Sequence, residues 1–137
     1  MKTNADITIY NKYIDAATRA EKYQRSVIAE VNWENCKAAM VRRTGELAAD
    51  KARVFIPFVN HINYLAPKAW QALTTKTNNW TLQEGDIIVR GIVTDEISSS
   101  FTVSALKAKY DDVLTIRSVD TYDQGSARMQ HWEIGAT

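Results

Sequence analysis

Few residues in this chain combine the types and spacing that chemistry requires. The two histidines, His61 and His131, lie far apart, and the single cysteine, Cys36, has no CxxC partner, so no zinc-ligand spacing is present. One cysteine also excludes an intramolecular disulfide and reads as a small, partly buried thiol. Asp95-Glu96 and Asp111-Asp112 are adjacent carboxylates. Neighbours on a strand point to opposite faces, and at a helix end they are commonly solvated, so neither pair makes an acid/base couple. No serine sits in a GxSxG elbow, and no P-loop, GxGxxG or HExxH pattern occurs. The residues give no enzyme reading, no cofactor and no metal.

Positive charge is the remaining chemical signal. Lys37, Arg42, Arg43 and Lys51 surround a single glycine, Gly45, in a stretch that alternates poorly. Two readings stand side by side: a solvated loop, or a patch that attracts phosphate. Its charge is sparser than phosphate-binding patches normally show, and no aromatic residues interleave with it. A second concentration of recognition-type residues lies between Asn60 and Trp80, with Tyr64, Lys68, Trp70 and Trp80. A large aromatic here either packs on the body of the protein or, if exposed, marks an interface.

The bulk properties bound the answer. A chain of 137 residues fits one domain, read as 1–137, and its 45% hydrophobic content supports a real core. Formal net charge is +1, so nothing global demands nucleic acid or a membrane as partner. No apolar run approaches the roughly 18 residues of a spanning helix, and the first residues lack a signal-peptide core. The expectation is action in the compartment of synthesis, or in something assembled there.

The elements that must position these residues are mainly strands. Ile7 to Tyr13 is rich in β-branched and aromatic residues, and Asp15 to Arg19 is a hairpin connection without glycine. In the second strand Tyr23, Val27, Ala29, Val31 and Trp33 fall on one face, with Ile28 as the exception. Asn35 to Ala52 follows as a long loop with partial helix, and loops of this length are commonly functional. Arg53 to Val59 is a third strand in which Pro57 requires an edge or an end. Pro67 to Leu73 reads as one or two helical turns with Pro67 in the first helical position. Glu84-Gly85-Asp86 is turn chemistry ahead of the buried strand Ile87-Ile88-Val89, which Gly91 interrupts. Ser99 or Ser100 caps a short helix through Tyr110, laid across a barrel mouth with Phe101, Ala105 and Leu106 inward. Val113 to Val119 and Arg128 to Ile134 make a terminal hairpin. The expected fold is mainly β: a small antiparallel β-barrel of about six strands with one or two short helices and two long loops.

Several stretches, in order along the chain, carry a resemblance. They are Asp6 to Lys12, Tyr23 to Trp33, Trp80 to Gly91, Tyr110 to Ile116 and His131-Trp132-Glu133-Ile134. Together they resemble minor capsid or neck proteins from the head-to-tail gene modules of tailed phages and prophages of Gram-positive bacteria. The strand order is also similar to that of head-closure, or stopper, proteins. The resemblance implies a virion protein of the head–tail neck, assembled in the host cytoplasm without a membrane. It implies a homo-oligomeric ring, hexamer or dodecamer, between the portal/adaptor ring and the tail terminator. It also implies a loop toward packaged double-stranded DNA, held without sequence preference; Lys37, Arg42, Arg43 and Lys51 occupy that position. Tyr64, Lys68 and Trp70 would then make contacts between subunits or rings. The alternatives are a tail terminator and a free oligonucleotide-binding barrel.

Overall fold

The computed structural model describes residues 3–35, 51–60 and 63–137. Six strands form a closed antiparallel barrel: β1 (Ala5–Ile14), β2 (Glu21–Asn35), β3 (Ala52–Pro57), β4 (Ile87–Arg90), β5 (Val113–Tyr122) and β6 (His131–Ala136). Their order around the barrel is β1-β2-β3-β6-β5-β4, with β4 returning to β1. Two short helices accompany them, α1 (Pro67–Gln71) and α2 (Val103–Lys109).

Closure depends on two strands that serve both halves of the barrel. β2 pairs with β1 as far as Val31 and with β3 from Asn32 to Asn35. β5 pairs with β4 over Val113 to Thr115 and with β6 from Ile116 to Tyr122. Each carries an extra residue where it changes partner. Ala5 faces Val31 but Ile7 faces Ile28, so β2 uses one residue more than β1. Glu30 takes a φ of 58° there, and its N–H donates to Asp6 Oδ1 at 3.1 Å. On β5 the surplus falls at Arg117, because Ile116 faces Ala136 while Ser118 faces Gly135. A bulge of this kind bends the strand and raises its twist, as a barrel corner requires.

The β2 bulge corrects the expectation of one continuous face. Ahead of it Ile28 is buried, while Val27 is 40% exposed and Ala29 is also exposed. Beyond it Val31 and Trp33 point inward. The apparent exception, Ile28, is therefore the core residue of the first half, and the extra residue reverses the parity.

The barrel interior is filled by Ile7, Ile9, Ile28, Val31, Trp33, Val54, Ile56, Ile88, Ile116, Trp132 and Ile134, among others. A second cluster lies outside the wall. Tyr10, Ile87 and Val89, the outward-facing neighbours of Ile9 and Ile88, pack with Val93 and Leu106. The segment after β4 thus covers the outer wall, which is why Ile87-Ile88-Val89 reads as an unbroken apolar run. Two details differ from expectation. α2 packs on the outer face of β1 and β4 and not across a mouth, and its N-cap is Thr102, whose Oγ1 accepts from the Ala105 N–H at 3.3 Å. The cover is pinned by polar contacts at its edge. Tyr10 Oη donates to the Asp95 carbonyl at 2.7 Å, and the Asp95 carboxylate accepts from Lys109 at 2.9 Å and Tyr110 at 2.5 Å. Those two donors hold the Asp95 carboxyl below its usual value.

Pro57 turns its nitrogen toward β2, whose pairing with β3 reaches only Phe55, so its missing N–H falls where that ladder has ended. The glycine-free hairpin is closed by Asp15, which accepts from the Arg19 N–H at 2.7 Å and, through its side chain, from the Ala17 N–H at 3.1 Å. Gly91 leaves β4 at a φ of 99°, donates to the Asp6 carbonyl at 2.6 Å and accepts from Thr8 Oγ1 at 2.8 Å. No atom lies within 4 Å of where a Cβ would sit, so the cost of a side chain there is conformational. Gly91→Ala should lower unfolding free energy by about 1–3 kcal/mol, the usual cost of a sparsely populated backbone conformation. Ile92→Ala, at an exposed neighbour, should change it by no more than about 0.5 kcal/mol; urea denaturation of both variants checks the contrast.

Candidate functional site

The segment joining β3 to β4 is built around two aromatic groupings and one buried carboxylate. Phe58 and Trp132 lie 4.1 Å apart by ring centroids, Tyr64 and Trp132 4.3 Å, and Tyr64 and Trp80 5.2 Å. A parallel bridge between Tyr64 and Trp80 fixes them, with the Leu65 N–H on the Trp80 carbonyl at 3.0 Å. These rings extend the barrel core into its cover. Burial pushes the Tyr64 phenol above its ordinary value.

Trp70 sits on α1, where Pro67 sets the first turn. Its ring is fully buried, edge-on to Tyr13 at 5.9 Å, with Lys76 Nζ 5.3 Å from it and its Nε1–H on the Asn79 carbonyl at 3.2 Å. Of the three residues expected at contacts between subunits, Lys68 is exposed, Tyr64 is half-buried and Trp70 has no free surface. The covering role is the one Trp70 has in this chain.

Under the cover, Asp86 is 2% exposed and joins the turn before β4 to β1. Its Oδ2 accepts from Gln83 at 2.8 Å and Asn11 at 2.9 Å, and its Oδ1 from the Lys12 N–H at 3.2 Å. Asn11 also clasps Thr81, donating to its carbonyl at 2.7 Å and accepting from its N–H at 3.1 Å. Gln71 Nε2 reaches Gln83 Oε1 at 2.8 Å and the Lys12 carbonyl at 3.1 Å. Burial pushes the Asp86 carboxyl above 3.8, against the hydrogen bonds, which hold it down. A buried, shifted carboxylate is a catalytic signature in a cleft. Here every bond goes to a neighbouring structural group, and the arrangement ties α1 and the turn before β4 to β1.

A groove of about 750 Å³ lies between the β1–β2 hairpin end and the start of α2, lined by Tyr13, Tyr23, Ile97, Thr102 and Val103. Its charged members are engaged: Glu21 with Lys12 at 3.0 Å and Lys22 with Asp15 at 2.8 Å. It offers hydroxyl and apolar contacts and lacks an acid/base couple. Among the described residues no group of three or more His, Cys, Asp and Glu side chains is placed to hold a metal. Among them, too, no helix is long and apolar enough to cross a membrane.

Lys37, Arg42 and Arg43 of the basic segment lie outside the described residues. Lys51 is exposed, and its N–H bonds the Ala136 carbonyl at 2.8 Å. Two cations that the sequence does not group with it share this end of the barrel. Arg53 stands opposite Gly135, and Arg117 follows Ile116, which stands opposite Ala136. Both are exposed, and Glu34 is paired across from Arg53. Their convergence comes from the pairing of β3, β6 and β5 and leaves no trace in local spacing. On the outer face of the same strands, His131 stacks on Tyr122 at 4.9 Å and approaches Phe55 at 5.8 Å.

The family profile of DUF6751, a family of unknown function, matches residues 2–137. The chain belongs to DUF6751. Neither the curated proteins nor the solved structures contain a match to it. Membership therefore extends over nearly the whole barrel and carries no function with it.

Two variants separate the cover's structural role from a contact role. Trp70→Ala should destabilise the isolated monomer by about 3–5 kcal/mol, as for other buried tryptophans, whereas a residue serving only a neighbour would leave monomer stability unchanged; thermal and urea unfolding decide. Asp86→Asn sets an amide against the donors of Asn11 and Gln83 and should cost about 1–3 kcal/mol. Because the folded state holds the Asp86 proton more tightly than the unfolded chain, its favourable term is full below pH 3.8. That term declines as pH rises through the raised folded value. The stability gap between wild type and Asp86→Asn should therefore be widest at low pH and narrow on raising pH, as measured by urea unfolding across that range.

Proposed function

We propose that this chain is a structural subunit of the neck of a tailed phage, a head-closure protein. It forms a homo-oligomeric ring between the portal/adaptor ring and the tail. It retains packaged DNA and offers the tail a docking surface. The observation that carries the reading is the closed barrel whose long 35–52 connection leaves from the end bearing Lys51, Arg53 and Arg117. A closed barrel gives each subunit a rigid body, and ring symmetry multiplies each loop into a continuous lining. Lys37, Arg42, Arg43 and Lys51 would face passing DNA, where phosphate attraction works without base readout. The resemblance of Asp6 to Lys12, Trp80 to Gly91 and the ending His131 to Ile134 to phage neck proteins supports the same reading. So do the internal engagements of Asp86, Asp95, Glu21 and Lys22, which suit a structural role.

The test is electron microscopy of intact particles from a phage or prophage that encodes this chain, with the protein tagged. Density at a single axial level between head and tail is expected. Particles in which Lys37, Arg42, Arg43 and Lys51 are all changed to alanine should assemble but release their DNA. Absence of the tagged chain from particles would overturn the assignment, and placement of those four residues on the outer wall would overturn the DNA-facing role. Salt-sensitive binding of single-stranded DNA by the isolated chain would favour a free oligonucleotide-binding barrel instead.

A further inference from the structure

The segment between β4 and β5 leaves the barrel wall and returns to it at one place. Val89 faces Val113 across the β4–β5 pair, and the next amide, that of Arg90, donates to the Asp112 carbonyl at 3.2 Å. On the leaving side Thr8, fully buried on β1, fixes the chain twice. Its Oγ1 donates to the Gly91 carbonyl and accepts from the Val93 N–H, both at 2.8 Å. The two anchors are therefore neighbours, and residues 94–111 hang between them as a flap that carries α2.

One apolar plug and two polar contacts seat the flap on the outer wall. Leu106, with no exposed surface, packs with Tyr10, Ile87 and Val89. Tyr10 Oη donates to the Asp95 carbonyl at 2.7 Å. Arg25 of β2 pairs with Glu96 at 2.9 Å, while its Nη1 holds the Val93 carbonyl at 3.1 Å. The Glu96 side chain is 63% exposed, and an ion pair in such surroundings contributes little. Both polar contacts fall beside the leaving anchor.

Beyond Glu96 the bonds of the flap turn inward. Among the described residues, no hydrogen bond or ion pair joins 97–105 to a strand. Ser98 and Phe101 exchange backbone bonds at 2.9 and 3.3 Å, and Ser98 Oγ meets Ser100 Oγ at 3.0 Å. The Asp95 carboxylate, bonded to Lys109 and Tyr110, ties the strap to its own helix. Ile97, Phe101 and Val103 are only partly buried. The groove of about 750 Å³ separates this tip from Tyr13, Ala20 and Tyr23 of the β1–β2 hairpin. A unit braced within itself and seated over so few contacts opens with a smaller free energy than the barrel unfolds.

We propose that residues 94–111 swing away from β1 and β4 as one unit, about the adjacent anchors at Val93 and Asp112, while the barrel stays closed. Shut, the flap covers Tyr10, Ile87 and Val89 and forms one side of the groove. Open, it bares that wall and dismantles the groove. The groove thus has a fixed side, the hairpin, and a movable one. Such a motion belongs to the single chain and is independent of the neck reading.

Native-state amide exchange on the full chain, under conditions where rates follow the opening equilibrium, is the test. The Leu106 and Tyr110 amides, bonded to the Thr102 and Leu106 carbonyls, report on the flap. The Ile116 amide, on the Asp86 carbonyl, and the ladder amides of β6 report on the barrel. Flap amides should exchange about tenfold or more faster than barrel amides, and their rates should rise with urea less steeply. Ile134→Val, in the barrel core, should speed the barrel amides by roughly threefold to tenfold and leave Leu106 and Tyr110 unchanged. A thiol at the plug gives an independent readout. In a Cys36→Ser background, Leu106→Cys should be labelled by a maleimide under conditions where Val54→Cys is not, with circular dichroism showing both chains folded. Flap amides that speed in step with the barrel in Ile134→Val would mean that the flap opens only on global unfolding, and would overturn the proposal. Urea-independent exchange at Leu106 and Tyr110 would do the same, because α2 would then fray without baring the wall. Equal protection of the two engineered thiols is a third overturning result.

Discussion

Everything in this structure follows from a shortage of strands. Six strands must enclose a core that includes two tryptophans, Trp33 and Trp132, and they close only because β2 and β5 belong to both halves of the barrel. A strand that changes partners must turn a corner, and the extra residues at Glu30 and Arg117 are where the turning happens. The same sharing sets side-chain parity on β2 and brings Arg53 and Arg117 to the end that holds Lys51.

The second organising element is polar. Asp86 is buried where the connection before β4 meets β1, and its carboxylate collects an amide N–H and two side-chain amides. Burying such a group is unfavourable unless each lone pair finds a donor. Asn11, Gln83 and the Lys12 N–H meet that demand only in one arrangement of the chain. The cover is held there by directional bonds, while Trp70 and Trp80 supply its apolar area. On the outer face of β1 and β4, Asp95, Tyr10, Lys109 and Tyr110 do the corresponding work for the α2 cover. Both covers lie against β1, whose central stretch Ile7 to Asn11 is buried without a break.

Much of this was legible in the sequence where the signal is local. Strand composition located all six strands, Pro67 marked α1, and Glu84-Gly85-Asp86 marked the turn into β4. What could not be read depends on distant partners. The Glu30 bulge is invisible without β1 beside it, so alternation along β2 placed Tyr23, Val27 and Ala29 on the wrong side. The helix cap moved from Ser99 or Ser100 to Thr102 because serine, threonine and spacing alone do not rank adjacent hydroxyls. Asp86 read as turn chemistry; its burial comes from Asn11 and Gln83, one of them on another strand. Trp70 was open between cover and interface, and its burial against Tyr13 is a tertiary fact. For the basic segment, Lys51 is the described member, and its neighbours Arg53 and Arg117 are grouped by sheet register alone.

The position of β1 also bears on how the chain acquires its shape during synthesis. Its hairpin with β2 is closed by a short turn, so that half forms from residues near in sequence. Its other partner, β4, lies about eighty residues further on, and pairings of such separation form slowly because loop closure precedes any return. Until Ile87 to Arg90 leaves the ribosome, the first strand holds a finished hairpin on one side and an unsatisfied row of amides on the other. Pairing with β4 ends that exposure of β1, and the barrel closes when β6, the last strand made, joins β3 to β5.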